Sequence, residues 1–179
     1  MGVFEGLLSM ELLVLRHGKS SWADLSLSDK QRPLKKRGKR DSVNMGAYIR
    51  SQRLIPDLVL SSTAVRADQT TRRALKGMGA SRTIVRWSDD WYHGGPETWI
   101  SALRQCPSGT RRVMIVGHNP GLEELVLQLS ANRVPLPEDG KLLPTAALAH
   151  FEVKGAWHEL SPGKGLLIGI TRPRNLIPT

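Results

Sequence analysis

The sequence predicts an α/β protein with three layers, in which helices cover both faces of a mostly parallel central sheet. Three apolar runs, at residues 12–15, 58–60 and 113–116, have the length of strands and the composition of strands buried on both faces. Stretches with helical spacing of apolar residues lie between these runs. Strands that alternate with helices along a chain are typical of a parallel sheet.

Four helices are predicted between and after these strands. Pro56 follows the first and cannot continue it, while Gly77 and Gly79 favour the end of the second. Pro96 opens the third helix at a position that tolerates proline. The predicted helices are residues 35–53 with Val43, Ala47 and Tyr48 inside, 64–76, a third from residue 96 with Trp99, Ile100 and Leu103 inside, and a fourth with Leu122, Leu125, Val126 and Leu129 inside.

Further strands complete the predicted sheet. A short run at residues 83–86 precedes a loop at residues 88–95. Alternating or apolar stretches favour strands at residues 147–153, 157–160 and 166–170. We expect at least one of these late strands to be antiparallel, as in mixed sheets.

Arginines and histidines follow the three apolar runs where the strands end. Arg16 and His17 follow the first run, Arg66 comes shortly after the second and His118 follows the third. Parallel strands bring their carboxyl ends to one edge of a sheet, so these four side chains can meet in one cleft. The planar fork of arginine matches phosphate oxygens, and a neutral imidazole is a nitrogen nucleophile. The sequence therefore predicts an oxyanion site at this edge.

Five motifs occur in order from about residue 11 onward. They are residues 13–20 (LVLRHGKS), 29–34 (DKQRPL) with Gly38 following, 56–62 (PDLVLSS) with 66–70 (RADQT), 116–123 (VGHNPGLE) and 143–147 (LPTAA). In these motifs the chain resembles the histidine phosphatase superfamily, also called the phosphoglycerate mutase-like or Arg-His-Gly phosphatases, and its short SixA-type phosphohistidine phosphatases in particular. The resemblance implies a phosphoglycerate mutase-like fold and a phosphatase that needs no cofactor.

The resemblance implies that four residues carry the chemistry. His17 would attack phosphorus with one ring nitrogen while the other donates to a backbone carbonyl, giving a covalent phosphohistidine without a metal. Arg16, Arg66 and His118 would bind the non-bridging oxygens and stabilise the charge that develops on them. His118 is expected to be cationic in the complex.

Four more positions are expected to contact the substrate, and structural alternatives exist for three of them. Gly18 would let the backbone pass close to the phosphate. Ser20 would donate its hydroxyl to a phosphate oxygen or form a local turn. Arg32 and Asn119 match motif positions, which a salt bridge and a helix cap would explain almost as well.

No motif identifies the group that protonates the leaving atom. Asp90, His93 and Glu97, in residues 88–97, are the candidates. An alkyl phosphate needs such an acid because an alkoxide is a poor leaving group, whereas the leaving nitrogen of a phosphorylated imidazole is itself basic near neutral pH. A short chain without an obvious acid or a capping insertion therefore favours phosphohistidine on a protein as the substrate.

Two other functions stay open at this stage. One is a phosphoglycerate-mutase-like phosphatase that acts on small phosphate esters, which requires a good acid and a pocket for a free intermediate. The other is a noncatalytic module that binds phosphate or nucleic acid, which would have no need of a nucleophile.

Length and composition predict one domain at residues 11–179, after an extension at residues 1–10. Met1 and Met10 are both possible natural starts. The lone Cys106, the absence of a signal-peptide pattern and the absence of an apolar run of roughly 20 residues predict a cytoplasmic protein outside the membrane. We expect a monomer.

No metal is expected at the site. His17 and His118 could ligate zinc together with a carboxylate, but Arg16 and Arg66 would repel a dication and few carboxylates flank the motifs.

The formal net charge of +10 invites a nucleic-acid interpretation. Six cations crowd into nine residues, namely Arg32, Lys35, Lys36, Arg37, Lys39 and Arg40. No aromatic residue interleaves with them, so a solvated helix start is favoured and no specific nucleic-acid partner is expected. The same charge can draw anionic substrates or an acidic phosphoprotein toward the cleft.

Overall fold

The computed structural model describes residues 9–81, 83–135 and 137–176. The strands in this part of the chain are β1 (Met10–Arg16), β2 (Leu58–Ser62), β3 (Ile84–Ser88), β4 (Arg112–Gly117), β5 (Leu148–Val153) and β6 (Gly165–Thr171). The helices are α1 (Lys36–Ser51), α2 (Val65–Met78), α3 (Pro96–Arg104) and α4 (Gly121–Leu129). Short 3₁₀ helices occur at Asp29–Gln31, Trp157–Glu159 and Pro173–Asn175.

The strands form one mixed sheet in the order β3-β2-β4-β1-β5-β6. The four strands from β3 to β1 are mutually parallel, whereas β5 runs antiparallel to both of its neighbours. The prediction of a mostly parallel sheet with an antiparallel strand near the end of the chain is confirmed. Because β2, β4 and β1 are adjacent, their carboxyl ends lie side by side.

Helices cover both faces of the sheet, which confirms the predicted three layers. Leu12 and Val14 pack with α3 and α4, whereas Leu13 and Leu15 pack with α1 and α2, since successive strand residues point to opposite faces. The predicted inner residues of α3 and α4 are all buried, namely Trp99, Ile100, Leu103, Leu122, Leu125, Val126 and Leu129.

Helices α1 and α2 approach each other closely through glycines. A Cβ at Gly46 would lie 2.1 Å from the carbonyl oxygen of Ala74, and a Cβ at Gly77 would lie 2.2 Å from that of Val43. Gly77 is therefore a packing residue inside α2, and the prediction that it ends the helix is wrong. Gly79 ends α2 as predicted, in the left-handed conformation with φ of 66°.

The inner face of α1 also differs from the predicted one. Met45 and Ile49 are fully buried, while Val43, Ala47 and Tyr48 are only half-buried. The helix lies against both the sheet and α2, and it meets α2 through glycine rather than through a large side chain. The large apolar residues at helical spacing therefore mark the stripe next to the buried one.

Two predicted segments, residues 157–160 and 1–10, differ from the structure. Residues 157–160 contain a 3₁₀ helix rather than a strand, because the buried Trp157 indole turns inward and donates to the Thr110 carbonyl at 2.7 Å. Met10 pairs with Val153 in the sheet instead of belonging to the predicted extension, and residues 1–8 lie outside the described part. Among the described residues, no helix is long and apolar enough to cross a membrane.

Candidate active site

The carboxyl ends of β1, β2 and β4 form one cleft. Arg16 pairs with Gly117 across β1 and β4, and the amide of His17 donates to the Gly117 carbonyl at 3.1 Å. The rings of His17 and His118 consequently lie together, with centroids 4.9 Å apart. Arg66 reaches them from the first turn of α2, which follows directly after β2. The structure thus brings the four predicted side chains together.

His17 is oriented so that its Nε2 nitrogen carries the lone pair and faces Arg66. Its Nδ1 lies 2.7 Å from the Gly18 carbonyl oxygen, which can only accept, so Nδ1 carries the proton and Nε2 carries the lone pair. The Nε–H of Arg66 points at this lone pair from 3.3 Å. Burial, assisted by the positive charges of Arg66 and Arg16, lowers the pKa of His17 to about 3. The imidazole is therefore a neutral base at neutral pH.

Arg66 is buried and anchored to Asp29. Its Nη1 donates to the Asp29 carbonyl at 2.5 Å, and its Nη2 donates to the Asp29 carboxylate at 2.8 Å. Arg32 and the Tyr92 hydroxyl donate to the same carboxylate. The Tyr92 hydroxyl, followed by the Arg66 guanidinium, lowers the pKa of Asp29 to about 2. A fixed anion thus holds the outer edge of Arg66 and leaves its Nε edge directed at His17.

Arg16 and His118 each have a buried nitrogen for which the described residues offer no partner. Nη1 of Arg16 donates to the Leu143 carbonyl at 2.9 Å, but no acceptor for its Nε lies in the described part of the chain. Nε2 of His118 lies 3.0 Å from the Ser62 hydroxyl, and no described residue pairs with its Nδ1. The Ser62 oxygen already accepts from the Ala64 amide, so its proton can point to Nε2, which leaves the imidazole proton on Nδ1. Unpaired buried donors favour a site that binds an acceptor such as a phosphate oxygen.

The protonation of the two imidazoles gives a testable prediction. Burial and the neighbouring His17 and Arg66 lower the pKa of His118 to about 2. We expect neither ring to take up a proton between pH 8 and pH 5 in the free protein, measured by NMR of histidine-labelled protein. Inorganic phosphate should move the titration of His118 upward, because an adjacent anion stabilises the imidazolium.

Free imidazole in the same sample provides the reference, since its titration reports the pH scale directly. The prediction fails if His118 titrates near the ordinary histidine pKa of about 6.5 before phosphate is added.

Gly18 packs closely against the start of α1, and its contact with phosphate stays a prediction. A Cβ at this position would lie 2.7 Å from the Gly38 carbonyl oxygen of α1. The Gly18 amide also donates to the Thr70 hydroxyl at 2.9 Å, so it is not free for a ligand. Glycine is required here because the end of β1 and the start of α1 pass so close together.

The other predicted substrate contacts are engaged within the protein. Ser20 accepts from Nη2 of Arg32 at 3.0 Å, and Nη1 of Arg32 bonds to the Asp29 carboxylate at 2.7 Å. Asn119 donates to the Leu143 carbonyl at 3.0 Å, the same oxygen that holds Arg16. These three side chains position the catalytic loops, as the salt-bridge alternative for Arg32 anticipated.

Of the three candidate acids, only His93 lies near the histidine pair. Glu97 accepts from Gln128 at 2.8 Å, and Asp90 is exposed in a turn with Ser88. The exposed His93 ring lies 4.1 Å from that of Tyr92, between centroids. The Tyr92 ring stands edge-on to His118 at 5.2 Å. His93 is therefore the one candidate with a path to a leaving group.

Sequence reasoning missed three side chains of the cleft. Asp29 and Ser62 lie inside two of the five motifs, and Tyr92 lies in the loop at residues 88–95. The Asp29 and Tyr92 side chains meet although 63 positions separate them, and no periodicity signals such a contact. The motif positions of Asp29 and Ser62 were the one available signal.

Neither a cluster of metal ligands nor an ionised thiol is found among the described residues. Among the described residues, no three His, Cys, Asp or Glu side chains are grouped to hold a metal ion. Burial raises the pKa of the half-buried Cys106 to about 11, so it is a protonated thiol at neutral pH.

Relatives in sequence identify the protein family. The family model of the histidine phosphatase superfamily (branch 1) matches residues 12–95, which include Arg16, His17 and Arg66. The chain belongs to the histidine phosphatase superfamily. This phosphatase is 30% identical over 164 residues to Rv1276c, an uncharacterized protein of Mycobacterium tuberculosis strain H37Rv, covering 89% of the chain and 100% of the relative. It is 31% identical over 186 residues to At3g52155, an uncharacterized chloroplastic protein of Arabidopsis thaliana, covering 95% and 81%.

Solved structures of SixA proteins share the fold of the phosphatase. A protein described as the phosphohistidine phosphatase SixA of Nakamurella multipartitia has a TM-score of 0.80 at 25% identity, covering 92% of this chain and 96% of that one. Its counterpart from Agrobacterium tumefaciens has a TM-score of 0.74 at 25% identity, covering 92% and 98%. The protein histidine phosphatase SixA complexed with tungstate has a TM-score of 0.79 at 22% identity, covering 94% and 100%.

Proposed function

We propose that this phosphatase removes the phosphoryl group from phosphohistidine on a protein and passes through a covalent phospho-His17 intermediate. The observation that carries the proposal is an oriented nitrogen nucleophile in a cleft where the carboxylate that holds Arg66, Asp29, is already ionised and paired. The SixA name of the structural relatives favours the same substrate class.

In the first step, the Nε2 lone pair of His17 attacks phosphorus. The bond from phosphorus to the substrate nitrogen breaks, and the departing imidazole keeps that electron pair and takes a proton. Arg16, Arg66 and His118 hold the non-bridging oxygens, so their donors meet charge as it spreads over the phosphoryl group. The bond from Nδ1 to the Gly18 carbonyl supports the positive charge that phosphorylation places on the His17 ring.

In the second step, water attacks the phosphorus of phospho-His17. The bond to Nε2 breaks, inorganic phosphate leaves, and His17 returns to its neutral form. No step requires a metal ion, because arginine and histidine donors supply the positive charge.

The protonation state of Asp29 favours a nitrogen leaving group. This carboxylate accepts from Arg66, Arg32 and Tyr92, and its low pKa makes it a poor proton donor at neutral pH. An alkoxide could not leave without an acid, whereas an imidazole nitrogen takes its proton from water readily.

The position of His93 supports a second candidate, a phosphatase acting on small phosphate esters. Its ring lies against Tyr92, beside His118, and is exposed to solvent. An imidazole at that point is a suitable general acid for an alkoxide.

A comparison of substrates tests the two candidates. We expect kcat/KM for a phosphohistidine peptide to exceed that for phosphoglycerate by at least about 10²-fold, since only the alkyl phosphate needs strong protonation. His93→Ala should slow alkyl phosphate hydrolysis more than phosphohistidine hydrolysis, whereas Asp90→Asn and Glu97→Gln, whose carboxylates are engaged away from the histidine pair, should change neither. Para-nitrophenyl phosphate, whose leaving group needs no acid, reports whether each variant keeps an intact site.

A preference of the unaltered phosphatase for phosphoglycerate that disappears in His93→Ala would establish the second candidate instead. Turnover that persists in chelator supports the metal-free steps, and turnover that stops in chelator and returns with a divalent cation contradicts them.

A further inference from the structure

Next to the catalytic cleft, the structure contains a second groove of about 260 Å³ whose walls are rich in cations. We call it the basic groove. Its charged wall residues are Lys19, Arg37, Lys141, Arg172 and Arg174, together with one carboxylate, Asp139. This groove contains none of the four residues that converge at the strand ends.

The basic groove shares two chain segments with the catalytic cleft. Lys19 is the second residue after His17, so the first wall continues directly from the nucleophile. Thr145, in the second wall, precedes Ala146, whose amide donates to the His17 carbonyl at 3.1 Å. A molecule whose phosphorylated residue enters the cleft therefore has its neighbouring residues next to these cations.

The carboxylate of the basic groove is already paired with arginines of the protein. Asp139 accepts from the buried Arg172 at 2.7 and 3.1 Å, and Arg174 lies 3.6 Å away. Lys19 and Lys141 are exposed at the rim. The groove therefore keeps a positive charge directed outward.

The start of α1 adds further cations at a place where they destabilise the helix. Lys36, Arg37, Lys39 and Arg40 occupy its beginning, and no acidic residue lies in its first turn. Asp41, one turn further on, pairs with Arg37 and Arg40 at 3.3 Å, and no side chain among the described residues caps the helix. The amino end of a helix carries a partial positive charge, so cations there are destabilising and an anion is stabilising. Arg37 of this turn is also a wall residue of the basic groove.

We propose that the basic groove docks an acidic polypeptide segment that flanks the phosphorylated residue of the substrate protein. The proposal rests on the proposed function in that it assigns the groove to the substrate of the same cleft. An acidic polypeptide is favoured over nucleic acid because no aromatic side chain lines the groove to stack on a base. Carboxylates along an extended chain can each pair with a separate lysine or arginine head, and they associate faster with a cationic surface.

The test compares two phosphohistidine peptides that differ only in flanking glutamates or glutamines. At low salt, we expect the unaltered phosphatase to prefer the glutamate peptide by about tenfold in kcat/KM, and the preference should shrink as salt rises. The double variant Lys141→Glu/Arg174→Glu should lose the preference. It should hydrolyse para-nitrophenyl phosphate at the unaltered rate, which shows that the catalytic cleft is folded.

A matched double variant controls for net charge. Lys154→Glu/Lys164→Glu makes the same change in a different cation-lined cavity. Lys154 follows Val153, which pairs with Met10 at the opposite end of β1 from His17. This control should keep the full preference for glutamate. Equal kcat/KM for the two peptides, or equal losses in both double variants, would overturn the proposal.

A binding measurement separates the proposal from the proposed function. Fluorescence anisotropy with the unphosphorylated glutamate and glutamine peptides reports docking even if phosphohistidine is not hydrolysed. Binding of the glutamate peptide that weakens in Lys141→Glu/Arg174→Glu supports the basic groove. Tighter binding of duplex DNA than of the glutamate peptide, lost in the same variant, would assign the groove to nucleic acid and overturn the proposal.

Discussion

Replacing His17 by alanine is expected to lower kcat by at least about 10⁴-fold and to eliminate the covalent phosphoenzyme. The reason is that the bond from Nδ1–H to the Gly18 carbonyl leaves the lone pair that attacks phosphorus on Nε2 of His17. The measurement is a rapid quench with radiolabelled substrate, followed by acid or base treatment of the protein. Phosphohistidine is labile in acid and stable in base, so the label on the unaltered phosphatase should show that pattern.

Two other histidine replacements make this experiment specific. His158→Ala removes an exposed imidazole outside the cleft and should leave both kcat and labelling unchanged. His118→Ala should slow the formation of the phosphoenzyme without preventing it, since His118 is placed as a donor. Label that persists in His17→Ala but is lost in His118→Ala would exchange the two assignments.

The strands that carry the cleft are predictable from local sequence. Each apolar run ends abruptly in polar residues, and that change marks where a buried strand reaches the edge of the sheet. No single segment predicts the strand order β2-β4-β1. The parallel arrangement alone, however, is enough to bring Arg16, His17 and His118 to one edge of the sheet. The site was therefore predictable wherever it depends on strand ends.

The contacts between loops were not predictable in the same way. Asp29 and Tyr92 have no periodic signal, and their meeting depends on how two irregular segments cross above the strand ends. Arg32 illustrates the consequence, since its motif position indicates a substrate contact while its guanidinium is buried between Asp29 and Ser20. A motif identifies which residues matter, but only the fold shows whether each contacts the substrate or another side chain.

The close packing of α1 and α2 through glycine could not be predicted from the sequence either. A glycine at position 77 is typical of a helix end, yet Gly77 lies inside α2. Glycine stands there because α1 leaves no room for a Cβ. The close approach of two helices is a tertiary property, and it reverses the local preference of glycine.

Replacing Arg66 by alanine is expected to lower kcat/KM by about 10²- to 10³-fold, the loss typical of one preorganised oxyanion donor. Arg66→Lys should recover little of this loss, because a single ammonium cannot contact both the His17 edge and Asp29. The inhibition constant of vanadate should rise together with the loss of kcat/KM, since both depend on the same donors. Para-nitrophenyl phosphate serves as the substrate, because its leaving group requires no acid.

Two variants distinguish direct binding by Arg66 from its orientation by Asp29. Asp29→Asn keeps the guanidinium but weakens its anchor, so we expect a smaller loss of about tenfold in kcat/KM. Arg72→Ala removes an exposed arginine of the same helix, which pairs with Asp68 and lies over the Trp87 ring outside the cleft, and should have no effect. Unchanged kcat/KM in Arg66→Ala would mean that the start of α2 contributes nothing to phosphoryl binding. Equal losses in Arg66→Ala and Asp29→Asn would mean that the guanidinium acts only while Asp29 holds it toward His17.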